Sequence, residues 1–410
     1  MSWTLPPLNN EYGRITKGIT KAFKEKALLL AASPLFNGNT DLSSLKNGDG
    51  TQLVNQSFDA NKWKLAADAA KAFIDEFVPT TYKLYIDPTV TTDTFKLGYL
   101  SCRNVMIKVW NEEWIFGRTL SSSNGSDNSQ YDKRPKHVGF TTDVQGGGAL
   151  GATQTIVDAY FMKNGLPITD PASGYVSTAG YTSYQAPFDV QARSTYNQWI
   201  NREPRFYVGI TYNNSYWLYQ TTNTSQVITK MEFSGNSGRT QSTSDVSPTG
   251  YIVRKGENTA NAGLTAGVQI RLADIYLDYA EALNEYDPGN SDILKYVNLI
   301  RQRAGIAQYG DLEGQIPLSN TQSAVRDAIR RERQIELAFE NHRYFDCHRW
   351  KTAMTTDNAP VYGMNMYANG DAFYVRTLIK ARIFQQRDYF WPIPNDEVLK
   401  NELMVQNPGW

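Results

Sequence analysis

Arg330-Arg331-Glu332-Arg333-Gln334-Ile335-Glu336-Leu337-Ala338-Phe339-Glu340 runs straight into Asn341-His342-Arg343-Tyr344-Phe345-Asp346-Cys347-His348-Arg349-Trp350. This stretch decides how the second half of the chain folds. Ala324, Val325, Ala328, Ile329, Ile335, Leu337, Ala338 and Phe339 recur at helical spacing, which predicts a helix over about Thr321–Asn341 and a short one over about Tyr344–Lys351. Arg326, Arg330, Arg331 and Arg333 sit beside Glu332, Glu336 and Glu340, some at i,i+4, where opposite charges pair. The cluster could serve as an anion site. Its favoured reading is structural: ion pairs facing an acidic stripe on another helix.

That stripe lies upstream. Over Val268–Tyr286 the residues Leu272, Ile275, Tyr276, Tyr279, Ala280 and Leu283 form an apolar face, with Asp274, Asp278, Glu281 and Glu285 beside it, solvated or salt-bridged. Asp287-Pro288-Gly289 breaks the pattern, and a further helix over about Ser291–Arg303 ends at Gly305. Near the start, Ile15, Ile19, Ala22, Phe23, Ala27 and Leu30 predict a helix over about Gly13–Ala32, stopped by Pro34. Trp63, Ala69, Ala70, Phe73 and Phe77 predict another over about Asn61–Phe77. Such helix pairs stack in helical-repeat proteins.

The middle has no such order. From about Lys83 to Gly256 it is rich in Ser, Thr, Asn, Gly and Tyr, with long aperiodic segments over Thr119–Gly151, Pro171–Pro187 and Thr221–Thr249. Loops that long in a compact domain tend to be functional. Irregular structure with short strands is expected there, and Gly146-Gly147-Gly148 reads as a flexible turn. The fold class is therefore mainly α, as helical repeats carrying a loop-rich, short-strand insertion. One domain over 1–410 is expected, with a helix pair at 11–80, the loop-rich part at 81–260 and a helical part with an extended tail at 261–410.

Lys+Arg and Asp+Glu are each 41 of the 410 residues, so the net charge is zero. That balance disfavours a nucleic-acid partner, which needs a basic field. No Gly-x-Ser-x-Gly, His-Glu-x-x-His or phosphate-binding loop appears. His342 and His348 lack the partner spacing of a metal site, and no cofactor is implied. Cys102 and Cys347 read as isolated buried thiols. A glycosidase carboxylate pair needs only to meet in space, so hydrolysis stays open on residues alone.

Aromatic residues in the irregular part carry the functional signal. Trp114, Tyr131, Tyr175, Tyr181, Tyr184, Tyr216 and Trp217 lie in or beside the loops, as do Trp110 and Tyr219, with Asn214, Asn213 and Asn124 nearby. A flat ring offers apolar contact to a sugar face while amides bind its hydroxyl rim. The eight residues from Trp114 to Trp217, with Asn214 among them, form the candidate ligand site, and replacing Trp217 or Tyr184 by Ala is expected to weaken it. A helical scaffold whose loops serve a protein partner is the competing reading.

Several segments together resemble the SusD/RagB family of outer-membrane nutrient-binding lipoproteins. These are Ala32-Ser33-Pro34-Leu35-Phe36-Asn37-Gly38, Asn111 to Phe116, Val157-Asp158-Ala159-Tyr160-Phe161-Met162, and Asn201-Arg202-Glu203-Pro204-Arg205-Phe206. The series continues with Arg271-Leu272-Ala273-Asp274, Ile300-Arg301-Gln302-Arg303-Ala304-Gly305, Arg331 to Trp350, and Pro392-Ile393-Pro394 through Gln406-Asn407-Pro408-Gly409-Trp410. Asn341 stands where that family usually has glycine. The resemblance implies tetratricopeptide-like helix pairs, a carbohydrate ligand (oligosaccharide or polysaccharide) or a peptide, no catalysis, and a SusC-like TonB-dependent transporter as partner. It also implies a surface-exposed outer-membrane lipoprotein. The opening Met1-Ser2-Trp3-Thr4-Leu5-Pro6-Pro7 carries no lipoprotein signal, so the chain looks like a member lacking its anchor and first helical segment.

Overall fold

The computed structural model describes residues 14–119, 128–220, 226–258 and 266–410. The first helix, α1 (Lys17–Ala32), begins where the Thr16 hydroxyl accepts the Ile19 N–H at 3.2 Å. It ends at Ser33-Pro34, where the Ser33 hydroxyl donates back to the Leu29 carbonyl. Asp59 caps α2 (Ala60–Phe77), which buries Trp63, Ala66, Ala70, Phe73 and Phe77 against α1. Next come α3 (Thr94–Ile107), β1 (Trp114–Thr119), α4 (Asn128–Lys133), α5 (Gln154–Ala159), β2 (Tyr181–Tyr184) and β3 (Arg193–Tyr196). They lead to α6 (Pro204–Gly209), β4 (Ile210–Tyr212), β5 (Tyr216–Gln220), β6 (Gln226–Ile228), β7 (Tyr251–Val253) and β8 (Ala266–Arg271). The helical part follows: α7 (Leu272–Tyr286), α8 (Ser291–Arg303), α9 (Gln322–Glu336), α10 (His342–Arg349) and α11 (Ala353–Thr356). β9 (Val361–Gly363), β10 (Thr377–Lys380) and α12 (Asn395–Lys400) complete the tail.

The fold is mainly α, and among the described residues the strands form two-stranded antiparallel pairs. The centre is α7, whose residues from Leu272 to Asn284 are all buried, with α2, α8 and α9 packed around it. Two expectations need correction here. The helix expected from Val268 starts at Leu272, because Ala266–Arg271 is spent as a strand paired with β1. The helix expected to reach Asn341 stops at Glu336, and the chain turns through Phe339 and Asn341, both at left-handed φ (64° and 66°). Asn tolerates that conformation better than most side chains, which explains why it can stand at a position suited to glycine.

The acidic stripe is not solvated. Asp274, Asp278 and Glu281 are buried, and arginines from α9 and α10 reach them. Arg333 contacts Asp278 at 2.5 Å and Asp346 at 2.7 Å, while Arg349 contacts Glu281 at 2.5 Å. A second buried network ties the parts together. Arg205, from α6, meets Glu203 at 2.6 Å and Glu332 at 2.5 Å. Arg271 meets Glu113 at 2.8 Å and Glu336 at 2.7 Å, and Arg303 joins Glu113 at 3.0 Å. The structural reading of the arginine-rich stretch therefore stands, with the charges inside the protein and not on its rim.

The 14-residue α3 falls in the segment expected to be irregular. Gly98, Ser101 and Asn104 interrupt its apolar pattern. Gly98 has its own reason: a Cβ there would collide with the Ala304 carbonyl at the end of α8. Gly146-Gly147-Gly148 also differs from the expected flexible turn. Its glycines are buried, and a Cβ on Gly147 would lie 2.6 Å from Asp132 Oδ1 and 3.0 Å from the Tyr131 ring.

Candidate functional site

The expected site residues separate into three groups. Trp114 is core: it is 5% exposed and its indole N–H donates to the Val105 carbonyl at 2.7 Å. Irregular sequence around it concealed that β1 packs its inner face. Tyr131 is exposed but its ring lies over Gly147, and half-buried Tyr175 lies beneath the guanidinium of Arg202 at 5.8 Å. Half-buried Trp110 sets its ring edge on Trp114. Exposed Tyr181 donates its hydroxyl to Asp371 Oδ1 at 2.6 Å and leans edge-on against Tyr196 and Tyr374. Asn124, and the side chain of Tyr219, lie outside the described residues.

The remaining rings converge on one turn, Ala186-Pro187-Phe188-Asp189. Two adjoining depressions share Pro187, Phe188 and Asp189 as their common wall. The larger, about 350 Å³, takes Phe95 and Lys96 from the first turn of α3, Lys163, Tyr184, Gln185 and Asn201. The smaller, about 160 Å³, takes Tyr99, Arg103, Tyr216, Trp217 and Arg254. Tyr184 is held by Tyr207, whose hydroxyl donates to the Tyr184 hydroxyl at 3.0 Å under stacked rings. Tyr216 and Trp217 are 5% and 2% exposed, so they floor the smaller depression and present no open stacking face. Trp217 is held by Val144, Val227 and the edge of His137. Asn214 is likewise committed: its Oδ1 accepts from Arg193 Nη2 at 2.6 Å, and Arg193 lies over the Tyr216 ring. Asn213 is buried against Glu232 and Tyr374.

The ring that does present a face is Phe188, which the loop reading passed over. It is 48% exposed, its base rests on Tyr99 at 5.1 Å between ring centroids, and its φ is 64°. A bulky residue in the left-handed region costs about 1–2 kcal/mol, so the surrounding turn must hold it there. Such strain gathers at ligand-binding positions. The available signal was local: Pro187 before and Asp189 after make a turn that projects the residue between them.

Polar groups surround this ring. Asp93 caps α3 by accepting the Phe95 and Lys96 N–H groups at 3.0 and 3.1 Å. Lys163 Nζ lies 5.2 Å from the Phe95 ring centroid. Burial pushes the Asp189 carboxyl up to about 6, against the pull of Arg254 and Arg193. An exposed ring between two hydrogen-bonding hollows can hold the apolar face and hydroxyl rim of successive sugars. Among the described residues no cluster of His, Cys, Asp and Glu could hold a metal ion, and no helix is long and apolar enough to cross a membrane.

Comparison with known proteins places this architecture. SusD-like protein P2 of Formosa agariphila is 33% identical over 158 residues, which span 37% of this chain and 28% of that protein's own length. The solved structure of selenomethionine BT4246 superposes with a TM-score of 0.81 at 24% identity, covering 97% of this chain and 74% of BT4246. A SusD-like carbohydrate binding protein from Bacteroides fragilis gives a TM-score of 0.62 at 20% identity, with 98% of this chain and 66% of that protein covered. The SusD family model matches residues 112–410, a span holding β1, the Phe188 turn and the whole arginine–glutamate network. The chain belongs to the SusD family.

Proposed function

We propose that this chain is a non-catalytic, cell-surface glycan-binding protein that captures an oligosaccharide and delivers it to a SusC-like TonB-dependent outer-membrane transporter. The observation that carries the capture step is the exposed Phe188 ring, held at left-handed φ between two polar depressions. Family membership supports the wider role, as does a fold shared with a SusD-like carbohydrate binding protein. Anchorage to the outer membrane through a lipid and a complex with the transporter belong to the same proposal. Asp93 and Asp189 both line the larger depression, and Asp93 uses its Oδ1 to cap α3.

The test is a polysaccharide and oligosaccharide binding screen on the purified protein, run beside an assay for released reducing ends. Binding without release supports the proposal. Release at enzymatic rates overturns its non-catalytic part, and absence of binding across the screen overturns capture. Co-purification of a TonB-dependent transporter with the full-length protein from native membranes tests the delivery step.

A further inference from the structure

The smaller depression beside Phe188 has a property that ring stacking does not require. Two guanidiniums line it: Arg103 from α3, and Arg254, which directly follows β7. Arg254 is only 7% exposed. It donates to the carbonyls of Tyr207 and Tyr216, and its Nε has no hydrogen-bond partner. Arg103 donates from Nη1 to Asn104 Oδ1 at 3.0 Å, while its Nε and Nη2 are buried without partners. Among the described residues no carboxylate lies within 4 Å of either guanidinium, and Asp189 is the one acid that lines the hollow. The two cations face each other's repulsion, and burial pulls the Arg103 guanidinium below its usual value.

Most buried arginines elsewhere among the described residues have a counter-charge, although Arg330 also keeps an unfilled Nε. Arg205, Arg271, Arg303, Arg333 and Arg349 each touch at least one carboxylate. Arg202 has none, but it fills its donors on the carbonyls of Phe161, Gln198, Val157 and Tyr160. In the hollow beside Phe188 two guanidiniums line the same open space, and the unfilled donors of both lie just beneath its wall. A buried charge without a partner is costly, and a buried donor left unpaired costs about 1–3 kcal/mol. An oxyanion bound in the hollow supplies the missing counter-charge, and the planar N–H fork of arginine matches a carboxylate or sulfate.

We infer that this hollow is an oxyanion subsite, so that the glycan captured is acidic and places a carboxylate or sulfate ester of one sugar on Arg103 and Arg254 while Phe188 carries the ring of the next. The inference rests on the glycan-capture reading above. A neutral sugar would leave the two guanidiniums with Asp189 as the one opposite charge in the hollow. Asp189 supplies the boundary on the other side, where hydroxyl donors of the chain can reach it.

The experiment measures Kd by calorimetry for galacturonan, alginate, carrageenan and dextran sulfate, against methyl-esterified galacturonan and dextran as uncharged counterparts. Uronates and sulfated polymers separate the two oxyanion sources. The expected result is binding of at least one acidic polymer, at least tenfold tighter than its uncharged counterpart and weakening as salt is raised. Arg103→Gln should remove that preference and Arg103→Lys retain part of it, with thermal melts confirming that both variants fold. Phe188→Ala, at an exposed position, provides a second test and should weaken the acidic polymer without abolishing the preference. Equal binding of charged and uncharged polymers, or acidic binding unchanged by Arg103→Gln, overturns the inference and leaves capture standing. Binding of no polymer overturns both.

Discussion

Arg271 and Glu340, one at the end of β8 and the other just past α9, are joined inside the protein by two hydrogen bonds of 2.7 Å. The same guanidinium also meets Glu113 and Glu336. Removing it leaves three buried carboxylates short of a partner. Arg271→Met should therefore lower unfolding free energy by about 3–5 kcal/mol, the range for breaking a buried ion pair from one side. Chemical denaturation measures it, and a loss below about 1 kcal/mol would count against the network as a source of stability.

The network also sets acid stability. Although burial alone would raise it, Glu340 is held down to about 2 by Arg271 and Lys255, and Arg303, Arg271 and Arg205 hold Glu336 lower still. These carboxylates keep their charge in the folded state at pH values where the unfolded chain takes up protons. Their contribution is present above the ordinary glutamate value, near ~4.3, and is lost as pH falls through about 2. Melting temperature should drop steeply across that interval, and Glu340→Gln should flatten the drop while lowering stability at neutral pH.

Phe188 and Trp114 should separate binding from folding. Phe188→Ala removes an exposed ring from a strained position, so glycan affinity should fall at least tenfold with a melting temperature unchanged or raised. Trp114→Ala empties a buried site and removes one of the two side-chain donors to the Val105 carbonyl, so stability should fall by about 3–5 kcal/mol with any residual folded protein still binding. Paired calorimetry and thermal melts decide the assignment. Lost binding in folded Trp114→Ala protein would return that ring to the site.

Asp189 behaves oppositely to the network glutamates. Its folded value, about 6, lies above the unfolded aspartate value near ~3.9, so the folded state keeps a proton that the unfolded state has released. Stability from this group is present below ~4 and lost as pH rises through about 6. Asp189→Asn should thus gain roughly 1 kcal/mol above that pH and nothing at pH 4. Losing the negative charge also favours an anion in the neighbouring hollow. An acidic glycan should bind several-fold tighter at pH 5 than at pH 7.5, a difference that Asp189→Asn removes; no pH dependence in the unmodified protein would sink the link.

The helices were legible because their stripes are periodic: Ser291–Arg303 falls where its pattern put it, and the arginine-rich stretch does face the acids of α7. α3 was not legible, since Gly98 serves a contact with Ala304 that only the folded chain creates. The site was harder. Loop position collected Tyr184, Tyr216 and Trp217, which do gather at one turn, yet it could not tell a ring that floors a hollow from one that faces solvent. Phe188 escaped because its exposure depends on a backbone angle, and a lone phenylalanine after proline carries no aromatic density. Arg103 and Arg254 lie far apart in sequence, so only the tertiary structure reveals that their charges share a space.

Arg205 has a consequence for how the molecule can be taken apart. It rises from the loop-rich part, at the start of α6, and ends between Glu332 and Glu336 on the helical scaffold. A stacked-repeat protein usually tolerates loss or transplantation of one segment, because each repeat answers only to its neighbours. Here the loop-rich part and its helical support hold each other's counter-ions. Grafting residues 81–260 onto another helical frame would leave Arg205 with Glu203 alone and Glu332 and Glu336 short of one partner behind. The loop-rich part is thus not a portable module, and its loops have to be altered in place, with the arginine–glutamate seam left untouched.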